Sequence, residues 1–140
     1  MVTVLVADDH AFVRDALCQR LAEDAHVEVV AICADGDEVL AAALRTRPDV
    51  AVLDLTMTRV GGLEATRQLR SALPEVRVIV LTALLDADAV RTAYRLGASG
   101  YVLKDGDPDA LPGYVRRVAA GGTAWTGAAA ALTQRNRVVR

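Results

Sequence analysis

A chain of 140 residues is long enough for one sizeable core and too short for two ordinary domains. Hydrophobic residues make up 53% and aromatics 4%, so the core must be built from Val, Leu, Ile and Ala, which suits a buried parallel sheet. A net charge of -2 excludes a broadly basic surface, and no apolar run reaches spanning length, so a soluble, cytoplasmic protein with no membrane partner is expected.

Residues 2–7 form a nearly continuous, β-branched apolar run that predicts the first strand, followed by Asp8, Asp9 and His10. Phe12, Ala16, Leu17 and Leu21 then recur at three-and-four spacing and predict an amphipathic helix. Residues 27–33 read as the second strand. Cys18 and Cys33 lack metal-ligand spacing and read as buried, reduced thiols. Asp35-Gly36 introduces a second helix carrying Val39, Leu40, Ala43 and Leu44. Residues 50–53 are a third strand running into Asp54, and Gly61-Gly62 precedes the third helix. Residues 76–81 predict the fourth strand, with Thr82 after it, and Gly97 reads as the left-handed cap of the fourth helix. Residues 101–103 are the fifth strand, ending at Lys104. Pro108 fits a first helical turn, but Pro112 would break a helix already running, so the regular fifth helix is expected from about residue 111 or 112 to 120. Beyond Gly121-Gly122 periodicity weakens, and residues 123–140 read as a linker or tail with at most one short alanine-rich helix, leaving 1–122 as the domain.

Strands alternating with helices predict an α/β fold, a doubly wound five-stranded parallel sheet with helices on both faces. Ligands of such sheets bind beyond the carboxyl ends of the strands. That edge should collect Asp8, Asp9, Asp54, Thr82 and Lys104. Three carboxylates together repel one another and call for a positive partner. Mg2+, a hard cation with oxygen ligands, fits a set without His or Cys. Lys104 is the only lysine beside fifteen arginines. A compact ammonium on a flexible stem suits a phosphoryl oxygen better than a planar guanidinium.

The segments VLVADDH, VLDLTM, VIVLTA and GYVLKD resemble the receiver domain of two-component response regulators. VADDHAFVRDAL, GLEATRQLR, LGASGYVLKD and RRVAAGGT are similar to its NarL/FixJ (LuxR-type) branch over roughly residues 2 to 122. The resemblance implies a flavodoxin-like strand order 2-1-3-4-5. It makes Asp54 the acceptor of a phosphoryl group from a sensor histidine kinase. Asp9, Asp54 and the Thr56 backbone carbonyl would ligate Mg2+, with Asp8 acting through a water. Lys104 and Thr82 would hold the phosphoryl group, and Tyr101 would change rotamer with it. The module would be a phosphoacceptor and not a turnover enzyme, would pair as a homodimer on phosphorylation, and would reach DNA only through a helix-turn-helix output domain that lies outside this chain.

Three positions depart from the family pattern: Thr58 stands where Pro is usual and Gly61 where Asp or Asn is usual, which predicts a more mobile loop after Asp54, and Asp105 stands where many relatives have Pro after the lysine. His10 and His26 read as solvent-facing, Arg116 and Arg117 as a solvated helix face, and Trp125 as a packing anchor. Two other readings stand beside the first. One is a stand-alone or phosphorylation-independent receiver that acts by docking. The other is a haloacid-dehalogenase-type phosphohydrolase, suggested by the Asp54-Leu55-Thr56 triplet and opposed by the order of the acidic residues along the chain.

Overall fold

Continuous apolar runs become strands because only a doubly covered sheet can bury both of their faces. The computed structural model describes residues 1–139, with side chains as far as Thr133. The strands are β1 (Val2–Ala7), β2 (Val27–Cys33), β3 (Val50–Asp54), β4 (Arg77–Thr82), β5 (Gly100–Leu103) and β6 (Ala124–Trp125). The helices are α1 (Ala11–Ala22), α2 (Val39–Thr46), α3 (Gly62–Ala72), α4 (Ala87–Leu96), α5 (Leu111–Ala119) and α6 (Ala128–Val139). All neighbouring strands pair in parallel in the order β2-β1-β3-β4-β5-β6. The expected order 2-1-3-4-5 is therefore present, extended at one edge by a sixth strand of two residues.

Side-chain alternation along the strands divides the interior into two cores. Leu5, Leu53, Val80 and Tyr101 face α2, α3, α4 and α6, where they meet Val39, Leu69, Val90 and Ala129. Val6, Val52, Leu81 and Val102 face α1 and α5, where they meet Leu21, Leu111 and Val115. Leu53 has no exposed surface, and truncating such a residue to Ala typically costs about 2–5 kcal/mol.

Local chemistry sets the helix ends. Gly97 closes α4 at φ 92, a left-handed angle open to glycine. Asp86 caps the other end of α4 by accepting the Asp88 and Ala89 amides. Around Pro108 the chain makes a single tight turn, and α5 starts at Leu111 with Pro112 in its first turn, where no amide donor is needed.

Three expectations need correction. Phe12, placed on the buried face of α1, is 87% exposed, because it lies in the first turn at the open end of the sheet. Cys18 is half-buried and only Cys33 is buried; both are free thiols, and burial pushes Cys33 up to about 11. Arg116 and Arg117 are exposed yet engaged: Arg116 pairs with Asp24 at 3.4 Å, while Arg117 donates to the Thr123 carbonyl at 2.8 Å and lies over the Tyr114 ring. Residues 124–125 form β6 and residues 128–139 form α6, and the described side chains of this segment pack on the fold. The Ala124 amide donates to the Ser99 carbonyl at 2.9 Å, and Ala129 is fully buried. Gly100 permits this, since a Cβ there would meet the Ala124 carbonyl oxygen at 2.6 Å. Among the described residues, no helix is long and apolar enough to cross a membrane.

Candidate functional site

Parallel pairing puts the carboxyl ends of β1, β3, β4 and β5 on one edge, and strand order reverses between β1 and β3. Asp8 and Asp9 follow β1, Asp54 ends β3, Thr82 ends β4 and Lys104 follows β5. Asp8, Asp9, His10 and Asp54 bring one ligand atom each to within 4.8 Å of one another.

Asp8 is fully buried. Its Oδ1 accepts the His10 backbone amide at 2.9 Å and its Oδ2 accepts the Lys104 ammonium at 2.9 Å. Lys104 Nζ also lies 3.3 Å from Asp54 Oδ1. Asp54 is 6% exposed. Burial, and then the charge of Asp8, raise its carboxyl above the ordinary value, against the pull of Lys104 and of the Thr56 amide. Burial alone would lower Lys104. The Asp8 hydrogen bond and the charges of Asp54 and Asp8 outweigh it, so the ammonium is held above its usual range. Lys104 is therefore a fixed cation between two buried carboxylates at neutral pH.

Asp9 is arranged differently. Its Oδ2 accepts the Thr58 hydroxyl at 3.0 Å, while its Oδ1 is buried without a hydrogen-bond partner among the described residues. The exposed His10 imidazole stands beside it, with Nδ1 3.1 Å from Oδ1. A bare carboxylate oxygen facing two further carboxylates is the natural seat for a hard divalent cation, so the residues fit a metal ion.

Thr82 is 4% exposed, and its hydroxyl accepts the Leu84 amide at 3.3 Å. The Tyr101 ring is fully buried, and its hydroxyl donates to the Leu84 carbonyl at 3.0 Å. Both residues thus hold the same exposed β4–α4 loop, one at its amide and one at its carbonyl. Thr56 is exposed in the loop after β3. Sequence expectation brought Asp8, Asp9, Asp54, Thr82 and Lys104 to one edge; Asp8, Asp9, Asp54 and Lys104 do meet there, and Thr82 lies on the same edge with its hydroxyl on the Leu84 amide. Tyr101 is linked to that edge through Leu84, whose amide Thr82 holds and whose carbonyl Tyr101 holds.

Two contributors escaped the sequence reading. Arg14, one turn into α1, donates to the Asp8 carbonyl at 2.8 Å and ties down the turn after β1. Asp35 accepts the amides of Arg59 and Val60, both at 2.9 Å, and so grips the loop after Asp54. The sequence signal at this position is the Asp35-Gly36 pair, which marks the start of a helix and carries no sign of the distant loop. The loop expected to be mobile is thus held at Thr58, Arg59 and Val60, with Arg59 also pairing to Asp37 at 3.2 Å.

The profile of the response regulator receiver domain matches residues 4–116. The chain is 39% identical over 121 residues to the transcriptional regulatory protein DegU of Brevibacillus brevis, covering 86% of this chain and 51% of that protein. It is also 39% identical over 121 residues to the DNA-binding transcriptional activator DevR/DosR of Mycobacterium tuberculosis, again 86% of this chain and 56% of the relative. The chain therefore spans about half the length of these relatives. Among solved structures, a LuxR-family two-component response regulator from an Aurantimonas species superposes with TM-score 0.90 at 32% identity, over 99% of both chains. The receiver domain of the putative response regulator NarL from Mycobacterium tuberculosis superposes with TM-score 0.82 at 32% identity, covering 86% of this chain and 97% of that one.

Proposed function

This chain belongs to the response regulator receiver domain family, in its LuxR/NarL branch, and from that we propose that Asp54 accepts a phosphoryl group from a phosphohistidine on a sensor kinase. The observation that carries the reading is the pairing of Asp54 with Lys104 at 3.3 Å beside the bare Oδ1 of Asp9. Asp54 offers a partly desolvated carboxylate nucleophile, and its phosphorylation gives an acyl phosphate whose added negative charge the Lys104 ammonium is placed to meet.

An Asp54 oxygen attacks phosphorus in line, forming the O–P bond as the P–N bond breaks, and the imidazole leaves with the electron pair and takes up a proton. Asp9, Asp54 and the Thr56 carbonyl would hold Mg2+, with Asp8 through a water, and the ion would neutralise charge on the phosphoryl oxygens. Lys104 swings little, since its ammonium already lies between Asp8 and Asp54, and it supplies a second positive centre. Thr82 turns its hydroxyl from the Leu84 amide to a phosphoryl oxygen. That frees the loop whose carbonyl Tyr101 holds, and the local charge event becomes a change of surface.

The output would be transcriptional, through a helix-turn-helix domain joined beyond this chain, with residues 123–140 leading towards it and a homodimer forming on phosphorylation. The setting is the cytoplasm, and the module is a phosphoacceptor without turnover. Intact-mass analysis after treatment with acetyl phosphate and Mg2+ tests the reading: one base-labile adduct is expected, absent in Asp54→Ala. An adduct that persists in that variant overturns the assignment.

A further inference from the structure

Asp35 follows β2 and is 3% exposed. As an ordinary helix cap it would spend its carboxylate on the first amides of the turn that follows. Its bond to the Asp37 amide is instead its longest, at 3.4 Å. The two shorter bonds cross to another segment: Oδ2 accepts the Arg59 amide and Oδ1 the Val60 amide, both at 2.9 Å and more than twenty residues away in sequence. Next to it, a Cβ at Gly36 would lie 2.1 Å from the Val60 carbonyl oxygen, so the two backbones touch where no side chain fits. The loop's other end is closed with equal economy. The Gly62 amide donates to the Leu55 carbonyl at 2.9 Å, and a Cβ at Gly62 would lie 2.4 Å from the Asp54 carbonyl oxygen.

Between these two anchors lie Thr56, whose amide faces the Asp54 carboxylate, and Thr58, whose hydroxyl holds Asp9. We propose that Asp35 is a positioning residue for the phosphoryl-transfer site: its carboxylate clamps the tip of the 55–61 loop and thereby sets the placement of Thr56 and Thr58 around the cation seat. Its own ionisation agrees with this. Burial would raise the carboxyl, but the amides of Arg59, Val60, Asp37 and Gly36 outweigh it and hold the group below its ordinary value. The inference rests on the reading of Asp54 as phosphoacceptor, but its test does not depend on that reading alone.

Two variants of the 140-residue chain separate capping from clamping. In Asp35→Asn the shape is kept, but one amide hydrogen must face a backbone N–H. In Asp35→Ser the hydroxyl can still cap the Asp37 amide but is too short to reach Arg59 and Val60. For each variant, Mg2+ affinity is measured by calorimetry, the Mg2+ needed for half-maximal acetyl phosphate labelling by intact mass, and the Tm by circular dichroism. Both variants should bind Mg2+ roughly 10-fold more weakly and need correspondingly more for labelling, as is usual when a partner behind a metal ligand is lost. A fall in Tm with wild-type Mg2+ affinity in Asp35→Ser means a structural cap only and overturns the proposal. If Asp35→Asn does not fold, the serine variant decides. An unlabelled wild type counts against Asp54 as acceptor, and calorimetry still decides for Asp35.

Discussion

Lys104 Nζ sits closer to Asp8, at 2.9 Å, than to Asp54, at 3.3 Å. The lysine is thus held by the fully buried carboxylate and presented to the nucleophile. Breaking a buried pair leaves an uncompensated charge and costs about 3–5 kcal/mol. Lys104→Ala should therefore lower stability by about 3 kcal/mol in urea titrations without metal, and Mg2+ should restore part of it. Lys104→Arg should stay folded yet fail to switch on phosphorylation, because a planar fork does not fit between two carboxylates so spaced. Full switching in the arginine variant would remove the special role of this side chain. Because the folded-state pKa is raised above 10.5, the pairing is present below that pH and is lost only as pH rises through the folded value.

Asp54 carries the opposite sign. Its folded-state pKa is raised, mainly by burial and next by Asp8, so the ionised form weakens the fold at neutral pH. Asp54→Asn should raise Tm without metal, and the difference from wild type should shrink when Mg2+ is added. The difference should also narrow in acid, as wild-type Asp54 takes up its proton on descent through its folded pKa towards 3.8. A lower Tm for Asp54→Asn across the whole range would contradict this account.

For Asp35 the shift is downward. Its contribution to stability is present above the ordinary value of 3.8 and is lost as pH falls through the lower folded value. The stability gap between wild type and Asp35→Ser should therefore be full at neutral pH and close only below pH 3.8. A gap that persists unchanged into strong acid would show that shape, not charge, is what the serine variant lacks.

Thr58 holds Asp9 Oδ2 at 3.0 Å and leaves Oδ1 bare. One hydrogen bond of this kind is worth about 0.5–1.5 kcal/mol. Thr58→Ala should accordingly weaken Mg2+ binding by roughly 2–10-fold with little change in Tm. Unchanged calorimetric affinity would show that Asp9 needs no such support.

Trp125, the chain's single tryptophan, pairs with Tyr101 across β5 and β6 and stands edge-on to Tyr94 at 5.6 Å. The Thr126 amide and hydroxyl both donate to the Tyr101 carbonyl, at 3.2 and 3.3 Å. Movement of Tyr101 should therefore reach Trp125 directly. Beryllofluoride with Mg2+ should change the tryptophan emission, and Thr82→Ala should abolish the change. Identical spectra before and after addition would separate the β6 edge from the switch.

Much of the site could be read from local pattern. Each long strand is a nearly continuous apolar run, the polar residue at its end marks the strand's carboxyl end, and parallel pairing sends all those ends to one edge. The positions of Asp8, Asp9, Asp54, Thr82 and Lys104 at that edge follow from this pattern alone. Other features have no local signature. A two-residue strand such as β6 carries no periodicity. Whether Tyr101 faces α4 or α5 depends on the phase of a four-residue strand, and Phe12 continues an apolar helical pattern beyond the sheet that would cover it. The grips of Asp35 on Val60, Thr58 on Asp9 and Arg14 on the Asp8 carbonyl join groups that any polar residue could satisfy with water if left exposed. Their partners were decided by the tertiary structure, because hydrophobic periodicity is a property of neighbours along the chain, whereas a buried carboxylate must take whichever donors folding brings within reach.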